Sequence, residues 1–96
     1  MNGVCIIMHA IVTVIGHDRV GIIAGICVAL AAVNVNVLDI SQTILGGMFT
    51  MVMLVDIKEA SVPFGEITSV LDAEGARLGV NIRIQREDIF NAMHRI

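Results

Sequence analysis

The chain has no tryptophan and no tyrosine, a single lysine, Lys58, and a single proline, Pro63, and only 16 % of its residues are charged. A nucleic-acid surface normally carries a basic patch. With a net charge of −3 and three phenylalanines to stack on bases, none is expected here. The two cysteines, Cys5 and Cys27, form neither a metal nor a redox spacing. Cys27 lies inside an apolar run and is expected to be a small buried hydrophobe; Cys5 is expected to be free. His9, His17 and His94 share no ligand spacing. No metal and no cofactor are therefore expected. The first residues lack a basic region and a cleavage site, which argues against a secretory leader and for a reduced, cytoplasmic setting.

What the chain does have is apolar surface. Of its 96 residues, 56 % are hydrophobic, and the charged fraction lies well below the usual ~25 %. A chain of this length makes one domain, with too many apolar residues for one small core. The excess needs a membrane or a partner subunit. No charge occurs from Val20 to Leu38, a run just long enough to span a bilayer. Asn34 and Asn36 interrupt it, and Val33-Asn34-Val35-Asn36-Val37 has a period of two. A helix ending and a strand beginning are expected there. A partner subunit is then the favoured cover, and a homodimer or larger homo-oligomer follows.

His9 to Ile15 is a β-rich run with both faces apolar, as in a central strand covered on both sides. Gly16 ends it. Asp18 has N-cap chemistry, and a helix is predicted from Arg19 or Val20 to Val33. Ile23, Ile26, Cys27, Leu30 and Val33 share one face, which should pack on the sheet. The opposite face carries Gly21, Gly25, Val28, Ala29 and Ala32 and no charge. It is either a helix with a poor surface or, as favoured here, one covered by another subunit. Asn34 suits the left-handed position that ends a helix. Val35 to Leu45 is the predicted second strand, Gly46-Gly47 a hairpin turn, and Met48 to Ile57 the third strand. Its methionines suit core or interface better than an adaptable binding surface. Ser61 is the predicted cap of a second helix, with Pro63 in its first turn. Phe64, Ile67, Val70, Leu71 and Leu78 mark its buried face, and Gly79 stops it. Val80 to Gln85 alternates cleanly, with Val80, Ile82 and Ile84 inward. Residues 87–96 can form a short terminal helix on Ile89, Phe90 and Met93.

The order β-α-β-β-α-β, with right-handed crossovers, predicts an α+β, ferredoxin-like fold. It comprises a four-stranded antiparallel sheet of order 4-1-3-2 with both helices on one face. Residues 1–7 are an extension or frayed tail, and 8–96 the domain.

The turn Gly16-x-Asp18-x-x-Gly21-Ile22, followed by Asn36 on the second strand, resembles the ACT domain. These are small βαββαβ modules that regulate amino-acid metabolism, usually by binding an amino acid where subunits meet. More narrowly, the chain is similar to the stand-alone, single-ACT-domain proteins of bacteria and archaea with no assigned activity. That likeness rests on Asp39-Ile40-Ser41-Gln42-Thr43, on Phe49-Thr50-Met51 and on Ile89-Phe90-x-Ala92-Met93-His94-Arg95-Ile96. It covers about 8–96, which makes Met8 the expected native start. Asn34 stands where glycine is common and Leu38 where a polar residue is common.

The resemblance implies ligand binding by the turn together with a strand of a neighbouring subunit. The candidate ligand-binding residues are Gly16, Asp18, Arg19, Val20, Gly21, Ile22 and Asn36. Their chemistry suits a zwitterion. Backbone N–H groups near Gly21 and Ile22 suit a carboxylate at the helix start. Asp18 suits an ammonium group, and Asn36 offers a donor and an acceptor. The alternative is that Asp18 only caps the helix, Gly21 only relieves crowding, and nothing binds. Catalysis is disfavoured. Ferredoxin-like acylphosphatases use the same turn with an Arg and an Asn, but the glycine-dense cradle followed by an arginine is missing here. A module that docks a metabolic enzyme or regulator without a ligand is the remaining alternative.

Overall fold

The computed structural model describes residues 8–17 and 20–86. Its elements are β1 (His9–His17), α1 (Ile22–Ala32), β2 (Asn36–Leu45), β3 (Met48–Asp56), α2 (Phe64–Leu78) and β4 (Val80–Arg86). All pairings are antiparallel and the strands lie in the order β2-β3-β1-β4, which is the expected 4-1-3-2 read from the other edge. The expected extension 1–7 and terminal helix 87–96 lie outside the described residues.

Alternation decides which residues are buried. Ala10, Val12 and Val14 of β1 and Phe49, Met51, Met53 and Val55 of β3 are buried under the helices. Ile26 and Leu30 of α1 and Ile67 and Leu71 of α2 close the core from above. Cys27 packs against this core half-buried, and Met51 and Met53 belong to it rather than to a binding surface. On β4, Ile82 is buried and Val80 and Ile84 are half-buried, as predicted. Beta2 is an edge strand and is exposed almost along its length. No described helix is long and apolar enough to cross a membrane. The uncharged run is divided instead into α1, a turn at Asn34 and the start of β2.

Two predicted helix starts move. Helix α1 begins at Ile22, later than Arg19 or Val20, and its N-cap is Gly21 rather than Asp18. Gly21 has φ 92°, and its carbonyl accepts the first helical bond from the Gly25 N–H at 2.8 Å. A left-handed residue is what turns the chain from strand into helix here, and glycine adopts it without penalty. A Cβ at Gly21 would meet nothing within 4 Å, so backbone conformation, not crowding, is what glycine serves there. Helix α2 is capped by Pro63, in extended conformation, rather than by Ser61. The Pro63 carbonyl accepts from Glu66 and Ile67, while the Ser61 N–H is used on the Val33 carbonyl at 2.9 Å. The stops are as expected. Asn34 has φ 61° and Gly79 φ 75°, and Gly46 and Gly47, at φ 60° and 82°, form the hairpin turn. Strand β1 runs through Gly16 to His17 instead of ending at Ile15, and β3 ends at Asp56.

Candidate functional site

Among the described residues, no side chain caps the N-terminus of α1, and its first turn carries no acidic residue. The first N–H groups of a helix have no partner inside it, and the helix dipole adds partial positive charge at the same place. A carboxylate is the complementary group. Ile22 can contribute only its backbone, because its side chain is buried in the core. Val20 is 99 % exposed, so a residue that would normally be inside stands free beside the turn. Gly16 lies lower, paired with Val80 on β4. A Cβ there would fall 2.6 Å from Val80 Cγ1. Its glycine therefore serves close strand packing. Asp18 and Arg19 lie outside the described residues.

From the turn a groove of about 470 Å³ runs along the outer face of α1, over Gly21, Gly25, Val28 and Ala32. Its far wall is α2, with Glu74, Arg77 and Leu78. Arg77 Nε donates to Glu74 Oε2 at 3.1 Å, and Arg77 Nη2 forms an ion pair with the same oxygen. The hydrogen bond that Arg77 donates to Glu74, and then the Glu74 charge, hold the Arg77 pKa above its ordinary value. Gly25 is where the two helices meet, since a Cβ there would lie 2.6 Å from Glu74 Oε2 and 2.9 Å from Arg77 Nη2. The small-residue face is thus partly covered by the chain's own α2. Arg77, which lies off the predicted buried face of the second helix, is a wall of the groove. The sequence signal is the i,i+3 Glu74–Arg77 pair, which carries no hint that it faces Gly25.

Asn36 is not brought to the turn. It opens β2, pairs with Asp56, and Asp56 pairs with His9 at the start of β1. The turn follows His17, at the other end of β1, about 26 Å away at ~3.3 Å per residue. Strands β1 and β2 run parallel through their shared neighbour β3, so one chain always holds these two places at opposite ends of the sheet. Asn34 is structural: its Nδ2 donates to the Glu59 carbonyl at 2.7 Å. Among the described residues there is no group of three or more His, Cys, Asp or Glu side chains placed to hold a metal ion.

Fold and turn together define a ferredoxin-like module of the one-sheet, two-helix kind, with its candidate site at the first strand-to-helix connection. The ACT-domain family model matches residues 8–85, and the chain belongs to the ACT-domain family, in its UPF0237 branch. A UPF0237 protein from Listeria innocua is 51 % identical over 89 residues, covering 93 % of this chain and 100 % of the relative. One from Methanocaldococcus jannaschii is 54 % identical over 88 residues, 92 % of this chain and 98 % of the relative. The solved structure of an ACT domain protein from Streptococcus pneumoniae is 41 % identical with a TM-score of 0.77, over 86 % of this chain and 93 % of that one. ACT domains form a family of regulatory ligand-binding modules, a fold used for regulation rather than catalysis.

Proposed function

We propose that this protein is a non-enzymatic regulatory module of the cytoplasm that binds an amino acid at the β1–α1 turn and acts as a homo-oligomer. The observation that carries the proposal is the start of α1, capped by the Gly21 backbone with no side chain of the described residues on its first N–H groups. Those N–H groups receive the ligand carboxylate. Asp18 receives the ammonium group, and Gly16, Arg19, Val20 and Ile22 frame the site. Asn36 is supplied by a second copy whose β2 runs antiparallel to the first, which brings its Asn36 end to the level of the turn. Only a neighbour can do this, given the ~26 Å within one chain.

A thermal-shift screen of the twenty amino acids tests the proposal. Ligand at 100 times its dissociation constant stabilises by ~2.7 kcal/mol, which for a domain of this size raises Tm by about 10–20 °C. Asp18→Ala lowers the affinity of the responding amino acid and Glu59→Ala, on an exposed loop, does not. A flat response across the panel sinks the proposal. The second candidate, a docking module without a ligand, is favoured by the exposure of Val20 and Val28, at 99 % and 69 %. It predicts that flat response, together with a defined partner lost on Val28→Asp.

A further inference from the structure

The face of the sheet away from the helices is apolar in the middle and charged at its margins. Beta1 presents Ile11 and Ile15 there, and β3 presents Met48, Val52 and Leu54, as the strict alternation with the buried residues requires. Ile15, Met48 and Val52 remain 46 %, 40 % and 41 % exposed. Beta4 adds Arg83 along one margin, between Asn81 and Gln85. Beta2 adds Asp39 along the other. A register shift between Val37 and Asp39 makes Leu38 the extra residue of a bulge. The bulge turns Asp39, opposite Leu54, onto this face instead of the helix side. Asp39 Oδ1 accepts from the Ile40 N–H at 2.9 Å, and Arg83 has no ion pair among the described residues.

We infer that this face packs on the same face of a second copy, with the two-fold axis running along the strands. The inference rests on the homo-oligomer reading above and adds a second contact. About this axis the strands of both copies run the same way and Asn36 stays at the His9 end, so this contact is separate from the antiparallel one that carries Asn36 to the turn. Four strands ~4.8 Å apart and about 26 Å long make a face of about 500 Å², so two copies remove about 1,000 Å². That reaches the lower bound for a specific interface. An apolar centre inside a polar rim is the anatomy of such interfaces, and the pairing takes Ile15, Met48 and Val52 out of water.

Charge selects the axis. Two isologous arrangements are possible for a flat sheet. An axis along the strands lays β4 over β2 of the second copy and β1 over β3. Arg83 then lies two residues along the strand from Asp39 of the second copy. With sheets ~10 Å apart, the two Cα atoms are about 12 Å apart, within the combined reach of the two side chains. The same axis sets Asp56 over His9 of the second copy, since both lie at one level of the sheet. An axis across the strands lays β4 over β4 and β2 over β2, so that arginine faces arginine. Like charges so placed oppose association.

The test is sedimentation equilibrium of the full chain and its variants, with circular dichroism to confirm that each is folded. Val52→Asp and Ile15→Asp alter exposed positions, so they leave the fold intact and raise the dimer dissociation constant at least about 100-fold. Arg83→Asp or Asp39→Arg alone weakens the dimer about fivefold or more, and the double variant restores it. A monomeric wild type at micromolar concentration overturns both the oligomer reading and this inference. A wild-type dimer unaffected by Val52→Asp and Ile15→Asp overturns the inference alone. Disruption by those variants without restoration in the double charge swap overturns the assigned axis.

Discussion

Replacing Gly16 by alanine isolates one contact that packs β1 against β4. The added Cβ would lie 2.6 Å from Val80 Cγ1, 2.9 Å from Val80 Cβ and 3.1 Å from Val80 Cα. The first distance cannot be met by real atoms. Rotation of Val80 relieves little, because a β-branched side chain has few rotamers and its Cβ is already too close. The strands must separate locally. Overpacking of this kind costs ~1–3 kcal/mol. Alanine recovers ~0.4–1 kcal/mol by restricting the unfolded chain. The net loss is about 1–2 kcal/mol, which in a domain of this length lowers Tm by about 4–16 °C. Thermal unfolding by circular dichroism measures it. Val80→Ala removes the nearest clashing atom, so the Gly16→Ala/Val80→Ala double variant should be more stable than the two single losses sum to, by at least ~0.5 kcal/mol. An unchanged or raised Tm for Gly16→Ala, or single losses that simply add, would refute the assignment of Gly16 to strand packing.

Two other glycines separate flexible from fixed obstacles. A Cβ at Gly75 would meet the Val80 carbonyl oxygen at 2.8 Å, part of the backbone that leads into β4, so Gly75→Ala should cost ~1–3 kcal/mol in urea denaturation. At Gly25 the obstacles are the movable ends of Glu74 and Arg77, and the gain in helix propensity of ~1 kcal/mol offsets their displacement, so Gly25→Ala should be near neutral. At Asn34, with φ 61°, glycine should lose only the hydrogen bond to the Glu59 carbonyl, ~0.5–1.5 kcal/mol. Alanine there should cost ~1–2 kcal/mol more because it cannot adopt the left-handed conformation without strain; urea denaturation of the pair gives the difference.

Much of the fold is legible along the chain because its signals are local. Gly46-Gly47 takes the two positive φ angles that a tight hairpin needs, and Asn34 and Gly79 end the helices in the left-handed conformation. The alternation of Val80, Ile82 and Ile84 places β4 without reference to any other strand. The candidate site is less legible. Asp18 has the right chemistry for an N-cap, yet the helix waits for Gly21. What closes the connection is a φ of 92°, a conformational requirement for which side-chain chemistry is a poor guide. Ser61 fails as a cap for a related reason: the Pro63 carbonyl already accepts the first bonds of α2.

The sequence by itself determined the order of elements, the turns, and the two faces of the central strands, because periodicity and backbone preference act between near neighbours. It also held the excess of apolar residues that one small core cannot hide. Tertiary structure alone decided which distant residues meet. It set Gly16 against Val80 and Gly25 under the Glu74–Arg77 pair. It used Leu38 as a bulge to turn Asp39 outward. It also held Asn36 and the β1–α1 turn at opposite ends of one sheet. These are consequences of register and crossover, which depend on how strands far apart in the chain come to lie side by side.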